Sequence, residues 1–171
     1  MPPAGRAGRR RGIASLALAA AAALLPGCDN QRIGRLEEGV ATEADVRREF
    51  GEPERVWPEA GGARTFEYNR QPEGARNYMV TLGPDGTMTA LRQVLTPQNF
   101  AAIAPGMPAE EVRRRLGRPM RVASYPLKRE TAWDWRYLES PTEAMVFSVD
   151  FGPDDRVLRT GRMRDPREQG G

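Results

Sequence analysis

The chain has 171 residues, no histidine and a single cysteine, Cys28. Transition-metal centres usually draw on histidine or cysteine, so no metal is expected. Nucleophilic catalysis needs a base beside the nucleophile, and Ser124, Ser140 and Ser148 have neither a histidine nor a G-x-S-x-G turn to serve them. One thiol cannot form an intrachain disulfide, so the fold must be held by its own core. A membrane-spanning run is missing too. Ile13 to Leu25 is apolar or small throughout, but thirteen residues of helix cover only ~20 Å of a ~30 Å hydrocarbon layer. The glycines stand at caps and turns rather than in a phosphate-binding loop.

What the N-terminus does have is the pattern of an export signal. Arg6, Arg9, Arg10 and Arg11 precede the apolar run, and Leu25-Pro26-Gly27-Cys28 follows it. By its residues alone Cys28 could be a packed thiol, a reactive one, half of an intermolecular bridge or a chemical handle. Gly27, Asp29 and Asn30 around it disfavour a core role, and the absence of histidine disfavours catalysis. The tetrapeptide resembles the bacterial lipobox, which implies cleavage before Cys28 and acylation of its sulfur. Residues 1–27 are then a lipoprotein signal peptide. Removing their four arginines leaves 22 basic against 23 acidic residues, a net of −1. The precursor's basicity therefore gives no argument for nucleic acid.

The remaining 144 or so residues say nearly the same thing twice. Val46, Phe50, Gly51, Pro53 and Val56 recur 66 residues later as Val112, Leu116, Gly117, Pro119 and Val122. In each copy two apolar residues four apart stack on one helical face, and a glycine and a proline end the helix. Thr42 with Asp45 reads as a capping box, and Pro108 suits a first turn. Short helices through Ile33/Leu36 and Phe100/Ile103 are expected ahead of these, the second opened by Thr96-Pro97. Glu110-Glu111 favours the start of its helix, while Arg113-Arg114-Arg115 is expected mostly on the solvent side.

Strands follow the helices. Phe66 and Tyr68 alternate with Thr65 and Glu67, and Trp133, Trp135 and Tyr137 alternate with Asp134 and Arg136, which predicts one buried face and one outward face. Gly83–Gly86 and Gly152–Asp155 then turn one strand into another, with Val80/Leu82 and Val149/Phe151 leading in on the buried side. Each unit reads as two helices and three or four antiparallel strands. Asp85 and Asp154-Asp155 fit solvated turns. Glu67 and Asp134 hold matching positions, but a paired-carboxylate site is disfavoured because they belong to different repeats and to the face predicted to point outward. Trp57-Pro58 and Tyr125-Pro126 follow the helices at similar places, so Trp57 and Tyr125 are either lids on the core or anchors for a partner. Trp133 and Trp135 read as core.

The second repeat, through Gly106, Val112, Leu116, Gly117, Pro119, Trp133, Trp135, Val149, Phe151, Asp154 and Val157, resembles the SmpA/OmlA (BamE) family of outer-membrane assembly lipoproteins. The helix-helix-sheet unit in tandem also resembles the β-lactamase inhibitor protein fold. The family usually has one unit and this chain has two, and none of its partner-binding positions can be matched here. The resemblance implies an α+β fold of two such units: 28–95 with an N-terminal tether, then 96–163, and a flexible tail over 164–171. It implies no enzyme and no cofactor, but a lipid-anchored protein-binding module in the periplasm, assisting the barrel-assembly machinery at the outer membrane. The alternative is an inhibitor-like or sensor-like module that clamps a periplasmic enzyme on a two-sheet concave surface. In enteric bacteria an aspartate after the lipidated cysteine disfavours transfer to the outer membrane, so Asp29 leaves the inner membrane open.

Overall fold

The computed structural model describes residues 33–168; Cys28, Asp29 and the whole expected signal segment lie outside that range. The chain runs α1 (Glu43–Phe50), β1 (Arg55–Pro58), β2 (Arg64–Asn69), β3 (Asn77–Leu82), β4 (Met88–Gln93), then α2 (Pro97–Ala101), α3 (Ala109–Leu116), β5 (Arg121–Tyr125), β6 (Glu130–Ser140), β7 (Glu143–Phe151) and β8 (Val157–Arg164). The strands form two antiparallel four-stranded sheets, each in sequential order. Sheet dominates, because the helices are only eight, five and eight residues long. The second unit has two helices, though the leading one ends at Ala101, before Ile103; in the first unit the helix expected through Ile33 and Leu36 is not present at Leu36, and of that pair only Ile33 is helical.

Local chemistry explains the elements. Thr42 accepts from the Asp45 amide, and Asp45 accepts from the Thr42 amide, closing the capping box at α1. Thr96 caps α2 with Pro97 in its first turn. Pro108 sits at the N-cap of α3 instead of inside it, so that helix starts without a side-chain cap. Gly51 and Gly117 end α1 and α3 with φ of +83° and +75° and extended ψ, a region essentially closed to other residues.

Two cores result. Val46 and Phe50 pack on Phe66, Tyr68, Tyr78, Val80 and Leu82 in the first unit. Val112 and Leu116 pack with Phe100 on Trp135, Tyr137, Phe147, Val149 and Phe151 in the second. Each such side chain, fully buried, contributes about 1.5–3 kcal/mol. Trp133 is half-buried against this second core, edge-on to Trp135 at 6.1 Å. Tyr68 donates its hydroxyl to Gly51 O, and Trp135 donates Nε1–H to Gly117 O, so one aromatic of each sheet holds the helix end above it.

The units are not side by side. Helix α3 lies on its own sheet by one face and against the far face of the first sheet by the other. Arg113 and Arg114, expected toward solvent, instead reach Glu67 and the Pro58 carbonyl of the first unit. Asn77 on β3 donates Nδ2–H to the carbonyls of Leu116 and Arg118, at 2.8 and 3.1 Å. A second contact is made by Gln71, whose side-chain amide exchanges two hydrogen bonds with the Arg136 backbone on the stretch of β6 that extends past β5. The start of the expected flexible tail is tied down: Asp165 is buried, paired with Arg136 and Arg167, and Pro166–Glu168 forms a 3₁₀ turn.

Gly117 marks the tightness of this seam, since a Cβ there would lie 2.9 Å from Asn77 Nδ2, whereas one at Gly51 meets open space. Both Gly51→Ala and Gly117→Ala are expected to cost about 1–3 kcal/mol through the backbone alone. Gly117→Ala should cost more, because Asn77 must also shift. Equal urea midpoints for the two variants would show that α3 is not seated closely on the first sheet.

Candidate binding surface

Glu67 and Asp134 are buried, contrary to the outward placement read from the alternation. Glu67 is fully buried: it accepts the Arg118 amide at 2.8 Å, the Trp57 indole N–H at 3.1 Å and Arg113 Nη2–H at 3.2 Å. Asp134, 3% exposed, accepts Arg121 Nε–H at 2.7 Å and the Ser148 hydroxyl at 2.6 Å. They occupy equivalent places, opposite Arg55 and Arg121 respectively, but on different sheets and with different partners. The alternation itself is intact; what it could not show is that a sheet's second face is covered as well. Each carboxylate is held by donors and ion pairs, the arrangement of structural groups rather than of an acid/base couple. Among the described residues no cluster of three or more acids, histidines or cysteines could hold a metal ion.

Trp57 and Tyr125 separate. Trp57 is buried at 4% exposure, with Arg114 over its ring at 5.6 Å, and forms part of the seam. Tyr125 is 44% exposed at the end of β5. The register explains the difference. Trp57 stands two residues after Arg55, and the residue two after Arg121 is Ala123. Tyr125 is therefore not the counterpart of Trp57 but begins the β5–β6 hairpin tip.

That tip is the most distinctive surface of the molecule. The Lys128 and Arg129 amides donate to the Tyr125 and Pro126 carbonyls, making a tight double turn. Arg129 sits at φ +55°, a conformation usually left to glycine or asparagine. Leu127 is fully exposed, and Lys128 Nζ lies 6.0 Å from the Tyr125 ring centroid. In the first unit the same hairpin is Ala60-Gly61-Gly62-Ala63, which takes its positive φ values with glycines and presents no large side chain. The sequence marks Tyr125-Pro126 as a candidate anchor; aligning the two hairpins extends that mark to Leu127, Lys128 and Arg129.

Elsewhere the surface offers little to a small molecule. One cavity of about 340 Å³ is lined by polar and charged groups including Ser140, Glu143, Arg164 and Asp165. Another of about 550 Å³ opens beside Arg35, Arg48 and Gly51. Neither contains Glu67 or Asp134. Among the described residues no helix is long and apolar enough to cross a membrane.

No protein-family model and no curated protein matches the chain. Solved structures similar to it include a DUF4309 family protein (YjgB) from Bacillus subtilis, 25% identical over 76% of this chain and 82% of that one, with a TM-score of 0.29. A putative β-lactamase inhibitor protein from Streptococcus mutans is 9% identical over 81% and 96%, with a TM-score of 0.32. An extracellular protein containing an SCP domain from Bacillus anthracis is 12% identical over 80% and 46%, with a TM-score of 0.30. At those scores the architecture described here rests on its own strand order and register.

Two outcomes follow for the buried charges. Arg113→Ala, which strips Glu67 of its ion-pair partner in the seam, should cost about 3 kcal/mol; Arg115→Ala, on the exposed side of the same helix beside Glu111, should cost under about 1 kcal/mol. Similar losses in chemical denaturation would mean that Glu67 is not the anchor. Asp165 supplies an acid limb. Burial opposes its ionisation, but Arg167 and Arg136 outweigh burial and hold its pKa at about 2. Its contribution is present above the ordinary carboxylate range near 4 and is lost as pH falls toward 2. Asp165→Asn should flatten that part of the stability–pH curve; an unchanged curve would count against the Arg136–Asp165 clamp.

Proposed function

We propose that the chain is a non-catalytic, lipid-anchored binding protein of the bacterial envelope, tethered through Cys28 and facing the periplasm. Its work is to assist the assembly of β-barrel proteins at the outer membrane, which the tandem motif and the lipobox-like tetrapeptide support together. The observation that carries the binding reading is the β5–β6 tip: an exposed Leu127 beside Tyr125 and two cations, on a hairpin whose counterpart in the first unit is bare. Apolar and aromatic groups held on a tight turn lose little entropy on contact, which suits an anchor for a protein partner.

A second reading, an inhibitor-like module that clamps a periplasmic enzyme, is favoured by the exposed Tyr125 at the end of β5, where the second sheet meets its hairpin tip. The first sheet's equivalent face is covered by α3, so such a clamp would work through the tip of the second sheet.

Lys128 is the only lysine in the chain, so an amine-reactive crosslinker applied to intact cells reports on the tip. Barrel-assembly components should be captured, and Leu127→Ser should abolish the capture. Recovery of one soluble enzyme, inactive in the complex, would replace the assembly reading with the inhibitor one. Capture undiminished by Leu127→Ser would remove the tip from either. Cys28→Ser should leave an unprocessed precursor without lipid; a cleaved, palmitate-free protein would sink the anchor.

A further inference from the structure

The two units treat the last strand of their sheets differently. In both, a loop clasps the start of the strand. The Gly39 amide donates to Met88 O and the Met88 amide to Ala41 O; the Gly106 amide donates to Val157 O and the Val157 amide to Met107 O. Beyond that point β4 is closed by Glu38, whose Oε1 accepts the outward Leu91 amide at 2.9 Å while its carboxylate also pairs with Arg92. The residue equivalent to Leu91 in β8 is Thr160, since Leu91 lies opposite Val80 and Thr160 opposite Val149. The place of Glu38, one residue before the glycine of the clasp, is taken by Pro105, which carries no carboxylate.

Among the described residues no carboxylate closes the edge of β8 in this way. The Asp165 amide turns inward to Ala144 O, so by alternation Met163 and Gly161 also face β7, and Thr160, Arg162 and Arg164 turn their amides and carbonyls outward. Every residue of β8 after Val157 is exposed. From Val157 to Arg164 the strand carries three arginines and no acid; among the described residues Arg159 pairs with Glu130 and Asp150 and Arg164 with Glu143, whereas Arg162 lies over the Phe100 ring without a carboxylate.

We propose that this edge is a β-augmentation site that takes an extended acidic peptide from a partner protein, main chain to main chain with Thr160, Arg162 and Arg164. The proposal deepens the binding reading above and rests on it. Exposed strand edges are templates for pairing, and Glu38 on β4 shows within the same molecule what this edge accepts: a carboxylate that binds an outward amide and a neighbouring arginine together. A second copy of β8 is disfavoured as occupant, because it brings arginines and no carboxylate to Arg162. An acidic strand supplies the carboxylate that Arg162 lacks, beside an Arg164 whose Glu143 pair is largely exposed.

The test uses the full lipidated chain in detergent and a capped Asp-Val-Asp-Val-Asp-Val peptide. Amide exchange at Thr160, Arg162 and Arg164 should be fast in the free protein and slow about tenfold or more on peptide addition. Methylating alternate peptide nitrogens should weaken binding about tenfold. Thr160→Pro, which removes an outward N–H that β7 does not use, should do the same. Arg162→Glu/Arg164→Glu keeps the backbone and should exchange preference to the Lys-Val counterpart. The proposal is overturned if no binding appears by ~1 mM peptide, if N-methylation or the charge reversal is without effect, or if these amides are already protected in the free chain. Failure of the edge is distinguishable from failure of the binding reading, because partner capture through Lys128 is scored separately.

Discussion

One fully buried carboxylate holds this molecule together. Glu67 takes the Arg118 amide, the Trp57 indole and the Arg113 guanidinium into a site with no exposure. Removing the donors of such a buried carboxylate costs several kcal/mol. Its satisfaction requires that residues 113–118 of the second unit be seated on the first sheet. From that requirement follow the position of α3 between the sheets, the close approach at Gly117 and the reach of Arg114 to Pro58. Asn77, which binds the carbonyls on either side of Gly117, completes the same junction from the acceptor side.

The unit that repeats does not repeat its junction. At the equivalent places of the second sheet Trp57 becomes Ala123, Met79 becomes Ser148 and Asn77 becomes Val146. Asp134 is quenched within its own sheet by Arg121 and Ser148, and Arg159 is tied to Glu130 and Asp150. The outer face of the second sheet thus has no amide anchor and no indole for a third helix. A terminal repeat in a stacked array needs a polar outer face of this kind. Two units are a complete array, and the surfaces left for other molecules are the hairpin tip and the strand edge instead of the stacking face.

Much of this was legible in the residues. The duplication, the Thr42 and Thr96 caps, the Val46/Phe50 and Val112/Leu116 stripes, and the turns at Gly83 and Gly152 each depend on neighbours within a few positions, and those signals are local. Glu67 was misplaced for the opposite reason. Period-two alternation tells which residues share a face, but its partners Arg113 and Arg118 lie 46 and 51 residues away, and nothing in the strand says that its second face will be covered. Trp57 and Tyr125 were paired because both precede proline; strand register, which sets Trp57 opposite Thr65 and Ala123 opposite Ala132, separates them. The tail was read from its polarity alone, and the Arg136–Asp165 pair that pins it is again a long-range contact.

Because α3 belongs to two sheets, the halves are unequal in isolation. A chain made from its N-terminus presents the first sheet early, with Trp57, Met79, Glu67 and Asn77 on a face that nothing yet covers. Once β4 has ended at Gln93, that half must wait for 25 more residues before Arg118 arrives to meet Glu67. During the interval its exposed side is a ready target for whatever guards unfinished proteins, and the second half, by supplying α3, ends that exposure. The helix is in effect a chaperone carried in cis, delivered late and kept.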